Sequence, residues 1–232
     1  MGKFAQKRLI RKLELELFLS QMESQPSPDV SLEQYTVSEA VAARMLYLAA
    51  YTNGDIIGKT ILDLGCGTGR LALTASFLGA QSVVGVDIDK TAIIVAAENS
   101  EKAGLKINVQ WVIGDVNAVA GSFDTVLQNP PFGVQKRAAD RKFLEKALEV
   151  GNVVYSLHNH PRTDRQLVKR LKSNSTGMLQ IVPSPFIEKF VERHHGVVKA
   201  VYAMPMTIPR MFDFHTKMKH DFIVDLYVMK KS

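Results

Sequence analysis

The sequence predicts an α/β protein: a Rossmann-like, mostly parallel sheet with helices on both faces and an antiparallel C-terminal hairpin. From Thr60 onward, short apolar runs alternate with helical patterns, and this spacing is typical of right-handed βαβ units. A glycine-rich turn follows the first of these runs, where open α/β sheets bind their ligands. After residue 175 a helical pattern precedes two long strand-like runs, which predict the hairpin at the edge of the sheet.

The first part of the chain predicts two helices joined by a linker. Apolar residues recur at helical spacing over 3–22, among several basic side chains, and 24–31 is rich in Ser and Pro. A second helix is expected at about 37–51, with Thr36 or Ser38 as its cap. We therefore divide the chain into an N-terminal helix with linker, 1–31, and one domain, 32–232.

The alternation of patterns predicts seven strands and the helices between them. Strands are expected at 60–64, 82–87, 108–113, 123–128, 152–157, 196–208 and 221–229. Helices are expected near 69–79, 90–102, 139–149, 161–172 and 185–195.

Composition and charge restrict the class of protein. With 232 residues and a hydrophobic fraction of 46%, the chain has the size and core of one full domain. It lacks the run of roughly 18 apolar residues that a bilayer span needs, and its single cysteine suits the reducing cytoplasm. Of the net charge of +6, residues 151–232 contribute +7 and the remainder −1, which suggests a polyanionic partner or a merely basic surface.

The glycine-rich turn is the first candidate ligand site. Gly65, Gly67 and Gly69 follow the buried run 60–64 directly and precede a helix. Glycines at this position allow a sharp turn and a close approach of backbone to ligand. Their G-x-G-x-G spacing differs from the G-x-G-x-x-G of dinucleotide enzymes, and a purely structural turn is the alternative.

Two acidic residues end the next two predicted strands. Asp87 stands where a carboxylate can accept both hydroxyls of a ribose, while Asp89 is better placed to cap the following helix. Asp115 ends the third strand, at a position that suits an adenine amino group, although a solvated loop acid would look the same.

The fourth strand ends in the turn Asn129-Pro130-Pro131-Phe132, which is the most specific motif of the chain. The prolines stiffen the turn and push the preceding residues toward extended geometry, so that the Pro130 carbonyl can point outward. The side-chain oxygen of Asn129 supplies a second acceptor, and Phe132 supplies a flat apolar face. Two acceptors and a stacking plane match a planar group that carries NH₂; a buried structural turn is the alternative.

These motifs together resemble those of class I S-adenosylmethionine-dependent methyltransferases that methylate amines. More narrowly, the chain is similar to the methyltransferase-like protein 5 family over about residues 30–230, and residues about 173–184 look like extra sequence compared with its eukaryotic members. The resemblance rests on these segments: Leu32-Glu33-Gln34-Tyr35, Ala42-Ala43-Arg44-Met45-Leu46, Asp124-Thr125-Val126, Asn129-Pro130-Pro131-Phe132-Gly133, Val154-Tyr155-Ser156-Leu157-His158, Phe214-His215-Thr216-Lys217 and Asp225-Leu226-Tyr227.

The resemblance implies a function, a cofactor and a partner. Members of that family methylate N6 of one adenine in small-subunit ribosomal RNA, with S-adenosylmethionine as cofactor. The implied base-holding residues are Asn129, Pro130, Pro131 and Phe132. The implied cofactor-binding residues are Gln34, Tyr35, Gly65, Cys66, Gly67, Thr68, Gly69, Asp87, Ile88, Asp115 and Val116. Eukaryotic relatives also bind a small zinc-containing activator protein at the edge strand that corresponds to 108–113.

Basic side chains beside the Asn-Pro-Pro-Phe turn are candidates for phosphate contacts, with a solvated surface as the alternative. They are Lys136, Arg137, Arg141 and Lys142, to which His215 and Lys217 add a second group. His158 and His160 could share a strand face, but no acidic or cysteine partner stands nearby at metal-ligand spacing, so no metal site is expected. Cys66 and Trp111 are expected to be buried packing residues.

Other functions share some of these motifs. A protein glutamine methyltransferase of the release-factor type uses a similar turn, but usually with tyrosine at the aromatic position and a larger N-terminal domain. A DNA adenine methyltransferase would need a target-recognition domain that is not visible in the sequence. A non-catalytic RNA-binding or ribosome-assembly factor with the same fold is the third alternative, which the intact glycine turn and Asn-Pro-Pro-Phe turn disfavour.

Overall fold

The computed structural model describes residues 9–26, 36–105, 108–132, 139–160, 165–209 and 219–232. Its helices are α1 (Lys12–Ser20), α2 (Glu39–Tyr47, continued by a π-helical turn, Leu48–Thr52), α3 (Arg70–Phe77), α4 (Lys90–Lys102), α5 (Ala139–Val150), α6 (Arg165–Ser173) and α7 (Pro185–Arg193). Its strands are β1 (Thr60–Leu64), β2 (Ser82–Asp87), β3 (Val109–Ile113), β4 (Phe123–Gln128), β5 (Gly151–Asn159), β6 (Leu179–Ile181), β7 (Gly196–Pro209) and β8 (Lys219–Lys231). Within the described ranges, no helix is long and apolar enough to span a membrane.

The strands form one sheet in the order β3-β2-β1-β4-β5-β8-β7-β6. Strands β1 to β5 are parallel, whereas β8 runs antiparallel to both β5 and β7. The predicted fold class and the antiparallel β7–β8 hairpin are therefore confirmed.

In the described residues the sheet has eight strands rather than the predicted seven. Leu179–Ile181 pairs antiparallel with β7 and becomes the outermost strand, so the hairpin does not form that edge. This strand lies in the stretch that looked like extra sequence, and its three residues are too short to show a period-2 pattern.

The two faces of the sheet are covered by different helices. On one face, α1 to α3 bury apolar residues against Leu127, Tyr155 and Leu157 of the central strands. On the other face, α5 and α7 pack against Leu62, Val126 and other residues of the sheet. The amino acids alternate between these two cores because successive side chains of a strand point to opposite faces.

Helix α1 belongs to the same core as the sheet. Leu15 and Leu19 are fully buried, and the ring of Phe18 stacks on that of Phe77 with 4.3 Å between centroids. The buried guanidinium of Arg70 donates to the carbonyl of Leu19 at 3.0 Å, which ties α1 to the start of α3. The N-terminal helix is thus held beside the glycine turn that precedes Arg70.

Candidate functional site

The carboxyl ends of β1 to β4 bring most of the predicted site residues to one edge of the sheet. The strands β3, β2, β1 and β4 are neighbours in this order. Asp115 follows β3, Asp87 ends β2, the glycine turn follows β1, and Asn129 follows β4. This is the edge at which open α/β sheets bind ligands.

The glycine turn leaves space over one of its residues. Gly65, Gly67 and Gly69 have φ of 72°, 53° and 86°, a region that favours glycine. A Cβ added to Gly67 would meet no atom of the described residues within 4 Å, whereas one on Gly65 would lie 2.7 Å from Phe143 and one on Gly69 2.5 Å from Trp111. Gly67 therefore borders open space. At Gly65 and Gly69, aromatic rings leave no room for a side chain.

Most backbone amides of this turn are already used within the protein. Gly65 and Cys66 donate to the carbonyl of Val86 at 2.8 and 3.0 Å, and Gly67 donates to Asp87 Oδ2 at 2.8 Å. A pyrophosphate group would need free amides at such a turn. The turn instead suits a nucleoside cofactor without phosphates, in agreement with the unusual glycine spacing.

Asp87 holds the turn and the start of α4 together. Besides the Gly67 amide, its carboxylate accepts from the Asp89 amide at 2.9 Å. Burial raises the pKa of this carboxyl, and the two amide hydrogen bonds oppose that effect. Asp89 accepts from the Thr91 amide at 2.8 Å and caps α4, as the sequence predicted, while Ile88 between them is exposed.

A second buried acid, Asp63, was missed by the sequence analysis. It lies in β1, is 1% exposed, and accepts from the Ala72 amide at 2.9 Å through Oδ2, while its buried Oδ1 has no hydrogen-bond partner among the described residues. Burial, with a smaller effect from nearby Asp87, raises its pKa to about 7. The available signal was an acid inside an otherwise apolar strand, two residues before Gly65.

Asp115 and Val116 lie at the end of β3 as predicted. The Asp115 side chain accepts from the Asn117 amide at 2.8 Å and caps a 3-10 turn, Val116–Ala118, in which Val116 is buried. Asp115 itself is exposed at this edge of the sheet.

The Asn-Pro-Pro-Phe turn leaves the sheet next to the glycine turn. Asn129 follows β4, the neighbour of β1, and Phe132 is half-buried against the core beneath α1 to α3. The Phe132 ring meets that of Phe222 edge-on, with 6.0 Å between centroids. The Phe132 ring is thus held against the protein.

A buried chain of hydrogen bonds lies directly behind this turn. Gln128, the residue before Asn129, donates to Ser156 Oγ at 2.9 Å, and Ser156 Oγ lies 2.8 Å from His158 Nε2. Burial lowers the pKa of His158 to about 4, so its ring is neutral at physiological pH. These polar side chains on β4 and β5 were not predicted as part of the site.

The predicted basic contacts are only partly described by the structure. Arg141 and Lys142 are exposed on α5, and the Arg141 guanidinium lies 4.9 Å from the centroid of the Phe186 ring. The remaining predicted residues lie outside the described part of the chain: Gln34, Tyr35, Lys136, Arg137, His215 and Lys217.

Cys66 and Trp111 have packing roles, as expected. Cys66 is buried, and desolvation raises the pKa of its thiol well above the usual value, which makes it a poor nucleophile. The Trp111 ring lies against Gly69 and Gly85, beneath the turn. Among the described residues, no group of three His, Cys, Asp or Glu side chains could hold a metal ion.

The edge as a whole fits S-adenosylmethionine. Within the described part of the chain, Gly67 borders open space and the buried Asp63 Oδ1 has no partner, and acids lie at the ends of β2 and β3. Carboxylates suit a cofactor that carries a sulfonium, an ammonium group and ribose hydroxyls. The residues that would hold it are Asp63, Gly65 to Gly69, Asp87, Asp115 and Val116.

Comparison with known proteins agrees with this geometry. A family model described as "Methyltransferase domain" matches residues 57–201. The rRNA N(6)-adenosine-methyltransferase METTL5 of Danio rerio is 33% identical over 218 residues, covering 91% of this chain and 95% of the relative. The Mettl5 enzyme of Drosophila melanogaster is 41% identical over 151 residues, covering 62% of this chain and 70% of its own length.

A solved structure also matches nearly the whole chain. It is that of PH1948 from Pyrococcus horikoshii, described as a candidate RNA methyltransferase. The two chains are 38% identical, with a TM-score of 0.80 and coverage of 97% of this chain and 99% of the other.

Proposed function

Because this chain belongs to the methyltransferase family that includes the METTL5 enzymes, we propose that it methylates N6 of an adenine in small-subunit ribosomal RNA. The chain is an S-adenosylmethionine-dependent methyltransferase by family and fold. The observation that supports the choice of substrate is the Asn-Pro-Pro-Phe turn, which lies on β4 beside the glycine turn of β1.

In this proposal the turn presents the adenine amine to the cofactor, which supplies a methyl group bonded to a positively charged sulfur. The side-chain oxygen of Asn129 and the carbonyl of Pro130 accept the two hydrogens of the amine, and Phe132 stacks on the ring. These hydrogen bonds localise the nitrogen lone pair, which is otherwise delocalised into the ring. The amine loses a proton to water after transfer, so catalysis rests on positioning and preorganised acceptors rather than on a strong base.

The test is transfer of tritiated methyl from S-adenosylmethionine to four substrates in parallel: naked rRNA, assembled small subunits, DNA and a release factor. We expect label in N6-methyladenosine from one or both rRNA substrates. Asn129→Ala should reduce transfer at least a hundredfold and leave cofactor affinity within a few fold. Asn152→Ala, an exposed asparagine at the opposite end of the sheet, is the matched control. Label confined to glutamine of the release factor would replace the proposal with the glutamine-methyltransferase alternative.

We also propose that a small zinc-containing activator protein binds the free edge of β3. Val112 and Ile113 are 44% and 53% exposed there, beside a strand edge with no partner in the described sheet. Ile113→Glu should then abolish co-purification with such a partner, whereas Ile94→Glu, at an exposed isoleucine on α4, should not. An isolated chain that is fully active without any partner would contradict this. The buried single cysteine suits the reducing cytoplasm that we expect for the enzyme.

A further inference from the structure

Helix α6 carries the most one-sided charge in the described structure. Residues 165–187 contain four basic side chains, all within α6, and no acidic one. A helix that only needs solubility mixes both signs, because like charges three or four residues apart repel each other. Lys169 and Lys172 stand at that spacing, with Arg170 between them.

The packing of α6 turns these charges toward solvent. Leu167 and Leu171, one helical turn apart, are 5% and 3% exposed and form a small core with Ala203 and Ile223. Lys169, Arg170 and Lys172 are exposed on the opposite side. The apolar side therefore fixes the orientation in which the basic side is presented.

These basic side chains have no acidic partner among the described residues. Basic residues of other helices do, since Arg70 pairs with Glu39 at 2.6 Å and Lys146 with Glu149 at 2.7 Å. The charge of α6 is thus available to an external anion.

The sheet register places α6 at the same edge as the Asn129 turn. Ala203 of β7 pairs with Asp225 of β8, and Asp225 pairs with His158 of β5. Ser156, two residues before His158, pairs with Gln128 at the end of β4. From β4 to β7 there are three strand spacings of about 4.8 Å, or about 14 Å. A polyanion whose base lies at Asn129 can therefore run over α6.

Acidic side chains at the carboxyl ends of β2 and β3, on the other side of the Asn129 turn from α6, repel such a ligand. Asp87, Asp89 and Asp115 lie at the carboxyl ends of β2 and β3, on the cofactor side. An approaching phosphate backbone is disfavoured there and favoured at α6, so the charges select one direction of approach.

We propose that α6 is a phosphate-binding surface, in which Lys169, Arg170 and Lys172 hold the RNA backbone on one side of the target adenine. This proposal rests on the proposed function and deepens it. It assigns RNA binding to three side chains of one helix rather than to the net positive charge of the chain. Each phosphate contact releases counterions, so the surface should contribute to the salt dependence of RNA binding.

The test compares two triple variants that lose the same charge. Lys169→Gln/Arg170→Gln/Lys172→Gln removes the basic face of α6. Lys189→Gln/Arg193→Gln/Lys199→Gln removes exposed charges of α7 and β7 and is the control. Arg193 and Lys199 flank Gly196, which begins β7 at the opposite edge of the sheet. The affinity of full-length protein for small-subunit rRNA is measured by filter binding from 50 to 300 mM KCl, with cofactor affinity and melting temperature alongside.

We expect the α6 variant to bind rRNA on the order of tenfold more weakly at low salt. The slope of the logarithm of RNA affinity against the logarithm of salt concentration should become shallower by about 2. Each of the three lost phosphate contacts accounts for roughly 0.7 of that slope in single strands. Cofactor affinity and the rate at saturating RNA should stay near wild type, and the control variant should bind like wild type. Equal behaviour of the two variants, or no RNA binding by the wild type, would overturn the proposal.

Two further readouts separate the possible failures. If the triple variant does not fold, Arg170→Gln and Lys172→Gln alone should each lower the slope by about 0.7, and unchanged slopes would count against the surface. Because binding is measured without methyl transfer, rRNA binding that depends on α6 but yields no N6-methyladenosine contradicts only the proposed function. Methylation with unchanged binding by the α6 variant contradicts only the surface.

Discussion

The backbone amide of Gly67 donates a 2.8 Å hydrogen bond to Oδ2 of Asp87, so the glycine turn after β1 is held by the acid that ends β2. Hydrogen bonds from amides to a carboxylate are among the stronger ones in proteins. The residue expected to bind the ribose is thus also part of the structure that forms the pocket. Substitutions of Asp87 should therefore affect both the turn and the ligand.

The substitution Asp87→Asn should weaken cofactor binding at least tenfold and lower the melting temperature of the protein without cofactor. An asparagine offers one acceptor oxygen, while Asp87 accepts from both Gly67 and Asp89. One amide would then face the NH₂ group of the new side chain. Isothermal titration calorimetry with S-adenosylmethionine and thermal melting measure the two effects.

The matched control is Asp89→Asn, which also loses one acceptor, since Asp89 accepts from the Thr91 amide at 2.8 Å and from Gln25 Nε2 at 2.6 Å. Neither donor belongs to the glycine turn, and asparagine caps helices about as well as aspartate, so cofactor affinity should stay within a few fold. Equal losses in the two variants would show that the effect is one of general charge near the pocket.

The buried acid Asp63 should make the cofactor-free protein less stable as pH rises. Its pKa is about 7 in the folded protein, because of burial, and near 4 in an unfolded chain. The folded state therefore binds more protons between about pH 4 and pH 7, and this contribution to stability is lost as pH rises through that window. The slope is up to about 1.4 kcal/mol per pH unit.

Asp63→Asn should remove this slope from the pH dependence of the free energy of unfolding, measured by urea denaturation from pH 4.5 to 7.5. Asp124→Asn is the control and should leave the slope over this pH range unchanged. Hydrogen bonds from Thr60 lower the pKa of Asp124, so its contribution is lost only as pH falls below about 4. An Asp63→Asn profile that parallels wild type would refute the assignment.

The sequence predicted the elements whose patterns are local. Strands β1, β2 and β4 begin and end at the predicted residues because each is an apolar run bounded by turn residues. Strand β6 was missed, since three residues carry no periodicity and depend on β7 for their hydrogen bonds.

The candidate site shows a similar division. The ligand edge follows from strand order, so Asp87, Asp115 and Asn129 could be placed from sequence. The Gln128–Ser156 hydrogen bond could not, because it depends on the register of β4 against β5. Asp63 was missed because an acid in a buried strand contradicts the apolar pattern that identifies the strand.

Gly85→Ala should destabilise the protein by about 1–3 kcal/mol, the usual range for overpacking, and weaken cofactor binding. The new Cβ would lie 2.4 Å from the Trp111 ring, which also lies against Gly69 at the end of the glycine turn. Gly114→Ala is the control, because its Cβ would meet no atom closer than 3.9 Å. Denaturant unfolding and calorimetry would check both effects. Adding Trp111→Leu should restore part of the loss; no restoration would mean that the Trp111 contact is not the cause.

Ser156→Ala should both destabilise the protein and slow methyl transfer. The change leaves Gln128 Nε2 and His158 Nε2 buried without the hydroxyl that bonds them, at a cost of about 1–3 kcal/mol. Since Gln128 directly precedes Asn129, a loosened Gln128 should lower kcat several-fold, with less change in KM for RNA. Ser100→Ala is a stringent control, because Ser100 is also buried but its hydroxyl has no hydrogen-bond partner in the ranges that the structure describes. That variant should match wild type in the free energy of unfolding and in kcat. If both variants lose the same stability and neither changes kcat, the chain from Ser156 to Gln128 does not position the catalytic turn.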